Sequence, residues 1–181
     1  MESAYWPGPP RHVLGVPVPV EPFAVRSGHA VVALQHLEAF GEGCGLYLRV
    51  AARRGVLSEE VWRGVLGDHG PPGADGAVPG TDLAFGVCLA DGSEATASEQ
   101  AYRSWRPDDR GPMGLMSVGG SSSAGDRFYE AEQQLWLWPL PPPGPFEFTV
   151  EWPSLGLERA AVTLDGAAVA RAAERARPYW A

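Results

Sequence analysis

Asp126-Arg127-Phe128-Tyr129-Glu130-Ala131-Glu132-Gln133-Gln134-Leu135-Trp136-Leu137-Trp138-Pro139-Leu140-Pro141-Pro142-Pro143-Gly144-Pro145-Phe146-Glu147-Phe148-Thr149-Val150-Glu151-Trp152 is the stretch whose reading decides the fold. Successive side chains of a strand point to opposite faces, so strict alternation marks a half-buried strand. From Phe128, Tyr129, Leu135 and Leu137 fall on one face, and Glu130, Glu132, Gln134, Trp136 and Trp138 on the other. After the proline run, Phe146, Phe148, Val150 and Trp152 alternate with Glu147, Thr149 and Glu151. Two long strands joined by prolines indicate antiparallel β-structure.

Outward from this stretch the same grammar recurs. Ala30 to Phe40, the turn Gly41-Glu42-Gly43 and Gly45 to Arg54 read as a hairpin. Leu46, Leu48 and Val50 face one way, and Tyr47, Arg49 and Arg53 the other. Unbroken alternation in the first strand puts Val32, Leu34 and Phe40 on one face with His36. Leu83 to Ala90, Asp91-Gly92 and Ser93 to Ala97 form a second hairpin signal, followed by short strands at Met113–Val118 and Ala160–Leu164.

Ser58 to Leu66 reads as a short helix: Ser58 is placed to cap it, Glu59 and Glu60 suit its positive end, and Gly67 ends it. A second helix is expected over 165–177, capped by Asp165 and stopped by Pro178. Gly119 to Gly125 is expected to be a small-residue loop.

Residues 1–28 form a Pro-rich extended arm, whose Pro17 and Pro19 lack N–H donors and so confine it to a sheet edge or a surface. Residues 29–181 are then one domain, an all-β, two-layer antiparallel β-sandwich of Ig-like kind with two helices. The length of 181 residues and the 45% apolar content suffice for one core. The 23 Gly and 18 Pro point to many short elements with punctuated turns.

The net charge is −8, which argues against nucleic acid or an anionic membrane surface as partner, since both require a basic face. All basic side chains are Arg and none is Lys, a composition typical of GC-rich genomes. Met1 to Pro10 lacks the apolar core of a secretory signal, and no run approaches the roughly 20 apolar residues of a membrane span. A cytoplasmic location is therefore expected. Cys44 and Cys88 form no metal-type pair and read as free thiols, with a disulfide open only if their strands pair.

The pattern Trp138-Pro139-Leu140-Pro141-Pro142-Pro143-Gly144-Pro145, Glu151-Trp152-Pro153, Leu164-Asp165-Gly166 and the Ala-rich segment ending at Trp180 resembles uncharacterised proteins of GC-rich actinobacterial genomes. The resemblance covers the C-terminal third well and the first hairpin loosely. It implies a small β-rich domain and carries no activity, cofactor or site residue with it.

Motifs for chemistry are sparse. Gly119-Gly120-Ser121-Ser122-Ser123-Ala124-Gly125 lacks the following helix and the Lys of a phosphate-binding loop, and it does not fit the nucleophile elbow G-x-S-x-G. His12, His29, His36 and His69 show no metal-ligand spacing, so no metal and no cofactor are expected. The carboxylate pairs Glu130 with Glu132 and Glu147 with Glu151 lie on polar strand faces, where solvated surface outweighs acid–base catalysis. Pro139-Leu140-Pro141-Pro142 is a P-x-x-P segment, read as a bend in preference to a ligand for another protein.

Two clusters stand as candidate sites. Trp136 and Trp138, with Glu130, Glu132 and Gln134, form either a stacking platform for a sugar or small molecule, or a patch covered by the N-terminal arm or by Tyr179 and Trp180. His36, Glu38 and Tyr47 would line a cleft between the sheets. The leading expectation is a non-enzymatic binding domain whose partner is another protein or a second copy of itself. An enzyme using the inter-sheet cleft and a sugar-type module using the tryptophans are the alternatives.

Overall fold

The computed structural model of the protein describes residues 8–67, 80–98 and 113–180. Strands β1 (Val13–Leu14), β2 (Val16–Arg26), β3 (Ala30–Ala39) and β4 (Cys44–Arg53) lead into helix α1 (Glu59–Val65). Strands β5 (Ala84–Leu89), β6 (Glu94–Ser98), β7 (Gly114–Ala124), β8 (Phe128–Trp138), β9 (Pro145–Trp152) and β10 (Leu157–Asp165) follow, then α2 (Gly166–Ala173) and β11 (Arg177–Pro178). They build a five-stranded sheet of order β2-β3-β4-β8-β7 and a four-stranded sheet of order β10-β9-β5-β6, both antiparallel. The fold is an all-β sandwich.

One continuous apolar core fills the space between the sheets. Leu34, Leu37, Leu46, Leu48, Val50, Leu135 and Leu137 come from the first sheet, and Phe85, Val87, Phe146, Phe148 and Val150 from the second. Phe85 and Phe148 stack with ring centroids 6.0 Å apart. Each such side chain contributes about 1.5–3 kcal/mol on full burial, so this layer is the main source of stability. Val169 and Ala172 of α2 close the core on one side. Trp62 of α1 is buried and donates from Nε1 to the Gly125 carbonyl at 3.3 Å, tying the helix to the β7–β8 turn.

The helix signals hold locally. Ser58 Oγ accepts from the Val61 N–H at 3.3 Å, and Asp165 Oδ1 accepts from Ala167 and Ala168 at 2.9 and 3.1 Å. The second helix, expected to run to 177, ends at Ala173. Arg177 and Pro178 are instead drawn into β11, which pairs with Val13 and Leu14 of β1. Gly166 begins α2 where a Cβ would stand 2.3 Å from the Gly144 carbonyl oxygen and 2.4 Å from that of Pro142. The proline run thus seats directly on the helix start, and Pro141 is buried. This contact favours its reading as a structural bend.

Three expectations are corrected by pairing. The segment expected to be a small-residue loop, Gly119–Gly125, is strand as far as Ala124, because Gly119 to Ala124 find ladder partners from Gln134 to Tyr129 on the long β8. The connection shortens to Gly125-Asp126-Arg127, closed by the Gly125 N–H to Phe128 C=O bond. Residues 16–26 lie at a sheet edge, as their prolines require, but as an integral strand of the larger sheet and not an arm outside the domain, with Val18 in the core and the prolines spaced along the rim. His36 does not share a face with Leu34. The β3–β4 register skips Gln35, so that Leu34 opposes Leu48 while His36 opposes Tyr47. One extra residue in a strand inverts the alternation beyond it. Leu37 and Ala39 therefore enter the core, and His36, Glu38 and Phe40 turn outward.

Candidate functional site: a polar row across the five-stranded sheet

The Gln35 bulge positions the cluster that stands out on this sheet. Beyond it, His36, Tyr47, Gln134 and Gly119 occupy matched positions on β3, β4, β8 and β7, a row perpendicular to the strands on the outer face. The next row holds Glu38, Gly45, Trp136 and Met116. Gly45 is the reason the two rows communicate. A Cβ there would lie 3.2 Å from Tyr47 Cε2 and 3.6 Å from Gln134 Nε2, so the missing side chain gives Tyr47 room to lean toward Glu38. A glycine inside a strand commonly marks such a close approach.

The Tyr47 hydroxyl donates to Glu38 Oε2 at 2.5 Å and accepts from Gln134 Nε2 at 2.9 Å. The His36 ring stacks on the Tyr47 ring with centroids 4.4 Å apart and planes 10° from parallel. All four residues are half-buried. Partial burial, the hydrogen bond to Glu38 and its negative charge hold the Tyr47 phenol well above its ordinary value; the Gln134 bond opposes them weakly. Tyr47 therefore serves as a neutral donor–acceptor hub. Glu38 keeps a second oxygen and Gln134 its carbonyl to accept bonds from outside.

His36, Glu38 and Tyr47 do come together as the sequence suggested, but on the outside of the sandwich and not in a cleft between the sheets. The space between the sheets is filled by Leu34, Leu37, Leu46 and their facing residues. Gln134, grouped by sequence with the tryptophans, belongs to this cluster, and Gly45 was missed altogether.

The tryptophan platform is also corrected. Trp136 lies on the expected face with Glu130, Glu132 and Gln134, yet it is only 3% exposed. Phe40 packs edge-on against it, with centroids 5.5 Å apart and planes at 71°, and Gly43 leaves space for its ring. The cover comes from the β3–β4 turn, whereas Trp180 is 79% exposed. An indole so enclosed offers no face for stacking. Trp138 is partly exposed, Glu130 is exposed, and Glu132 is paired with Arg49 at 2.8 Å.

The two cysteines lie on different sheets, Cys44 in the core of one and Cys88 on the outer face of the other, and both are free. Burial pushes the Cys44 thiol up to about 12; burial and nearby Glu94 raise that of Cys88. Among the described residues no group of three His, Cys, Asp or Glu could hold a metal ion. No described helix is long and apolar enough to cross a membrane. His69 lies outside the described residues. No family model matches the chain, and no curated protein matches it.

Proposed function

We propose that this chain is a non-enzymatic binding domain that engages another protein through the His36, Glu38, Tyr47 and Gln134 cluster. The observation that carries this reading is the Tyr47 hydroxyl held between Glu38 and Gln134 on a solvent-facing sheet. Side chains locked by their neighbours cost little entropy when a partner docks on them. Their remaining acceptors, on a chain of net charge −8, suit a partner segment that presents Arg or Lys side chains. Nucleophilic catalysis is disfavoured by the same environment. Both thiols and the Tyr47 phenol are pushed toward their protonated forms, which are the weaker nucleophiles. Two free thiols on separate sheets accord with a reducing, cytoplasmic setting.

The test is affinity capture from the native host with tagged full-length chain, beside a Glu38→Gln, Tyr47→Phe double variant and a Glu174→Gln control. A stoichiometric partner held by wild type and control but lost by the double variant supports the reading. Equal capture by all three, or capture by none, overturns it.

A further inference from the structure

The outer face of the four-stranded sheet, opposite to the cluster above, carries a second arrangement with unused chemistry. Gly86, Thr96 and Thr149 form one transverse row across β5, β6 and β9. They line a shallow depression of about 50 Å³, flanked by Glu94, Glu151 and Arg159. Gly86 makes its floor: a Cβ there would meet Thr149 Oγ1 at 2.4 Å, so the hydroxyl lies directly over the glycine. Thr149 is only 7% exposed as a residue, the single polar residue in the buried set among the described residues, and its hydroxyl bonds to no other described residue but opens to solvent in the depression. A hydroxyl that opens into the depression is free to donate to, or accept from, a ligand seated there.

The charges around it are also unspent. Arg159 projects from β10 on one side and Glu94 from β6 on the other, and neither they nor Glu151 is ion-paired. The lining thus offers a cation on the β10 side, the carboxylates of Glu94 on the far side and Glu151 on β9, and a hydroxyl between. A space of this size holds about three to four water molecules, the bulk of a single small polar group.

We propose that this depression binds a small zwitterion of the free α-amino-acid class, its carboxylate toward Arg159, its ammonium toward Glu94 and the Thr149 hydroxyl beneath. The ligand side chain points to solvent, so the site selects the zwitterionic core and tolerates different side chains.

The test is a titration of the ¹⁵N-labelled full-length chain, following the backbone amides of Gly86, Thr96 and Thr149. Glycine and L-alanine are expected to give saturable shifts of similar affinity. Methylammonium and acetate, each carrying half of the charge pair, should bind at least roughly tenfold more weakly. Thr149→Val, which keeps the branched shape, should weaken glycine binding about fivefold, and Arg159→Gln at least about tenfold. The absence of a saturable glycine shift, unchanged affinity in both variants, or methylammonium binding as well as glycine would each overturn the proposal.

Discussion

Tyr47 and Glu38 are joined by a 2.5 Å hydrogen bond between neighbouring strands, and the residue directly opposite Glu38 is Gly45, not Tyr47. The diagonal contact exists because Gly45 leaves its position empty. Tyr47 remains a neutral phenol beyond the pH at which an ordinary tyrosine, near 10, ionises. In the unfolded chain Tyr47 loses its proton near 10, while in the folded chain it keeps it. The stabilisation is therefore complete below pH 10 and declines as pH rises from there. Tyrosine absorbance titration should show Tyr47 among the late-titrating phenols, with Tyr129 also raised by burial, and Glu38→Gln should move the Tyr47 step toward the ordinary value.

The Gln35 bulge yields a sharper prediction. Deleting Gln35 removes the extra residue and leaves Leu34 opposite Leu48 and His36 opposite Tyr47, so His36 and Glu38 stay on the outer face and Leu37 stays in the core. We expect the chain to fold with this deletion, at a cost below about 2 kcal/mol from the lost local twist. Gln35→Ala keeps the residue count and should stay within about 0.5 kcal/mol of wild type, since Gln35 is exposed. Urea melts of the two variants check this, and loss of folding on deletion of Gln35 would count against its being the unpaired extra residue.

Two tryptophans are expected to behave oppositely. Trp136 is enclosed by Phe40 and the Gly43 turn, so Trp136→Ala should cost about 3–5 kcal/mol. Trp180→Ala, at a position 79% exposed, should change stability by less than about 0.5 kcal/mol. Thermal melts read both, and a large loss at Trp180 would contradict the packing described.

These residues also show what the sequence could and could not convey. Alternation revealed β8, β9 and β4 because each packs one regular face on the core. Ser58 and Asp165 announced their helices because capping is local chemistry. His36 was misplaced because a bulge leaves no mark in a hydrophobic pattern: Leu34-Gln35-His36-Leu37 reads equally well in either phase. Strand β7 was truncated because Gly119-Gly120-Ser121-Ser122-Ser123 has little intrinsic strand preference and gains it only from its partner β8. Trp136 resembled a surface platform because the covering Phe40 lies nearly a hundred residues earlier. The Glu38, Tyr47 and Gln134 contact was illegible for the same reason, since it depends on register across three strands. Gly45 and Gly86, glycines inside otherwise alternating strands, were the signals available for the two sites.

The thiols provide the final prediction. At neutral pH and under native conditions a thiol reagent should modify Cys88, which is partly exposed, and leave Cys44 untouched until the chain unfolds. Alkaline stability should show Cys44 as well. Its thiol ionises near 9.0 when unfolded and at about 12 when folded, chiefly because burial disfavours the thiolate. The unfolded state alone then releases a proton between those values. Stability is retained below 9 and falls by up to about 1.4 kcal/mol per pH unit from 9 to 12. Urea titrations across this range should give a shallower decline for Cys44→Ala than for wild type, whatever the packing cost of the lost sulfur. A parallel decline in both would mean that Cys44 is not held as a buried thiol.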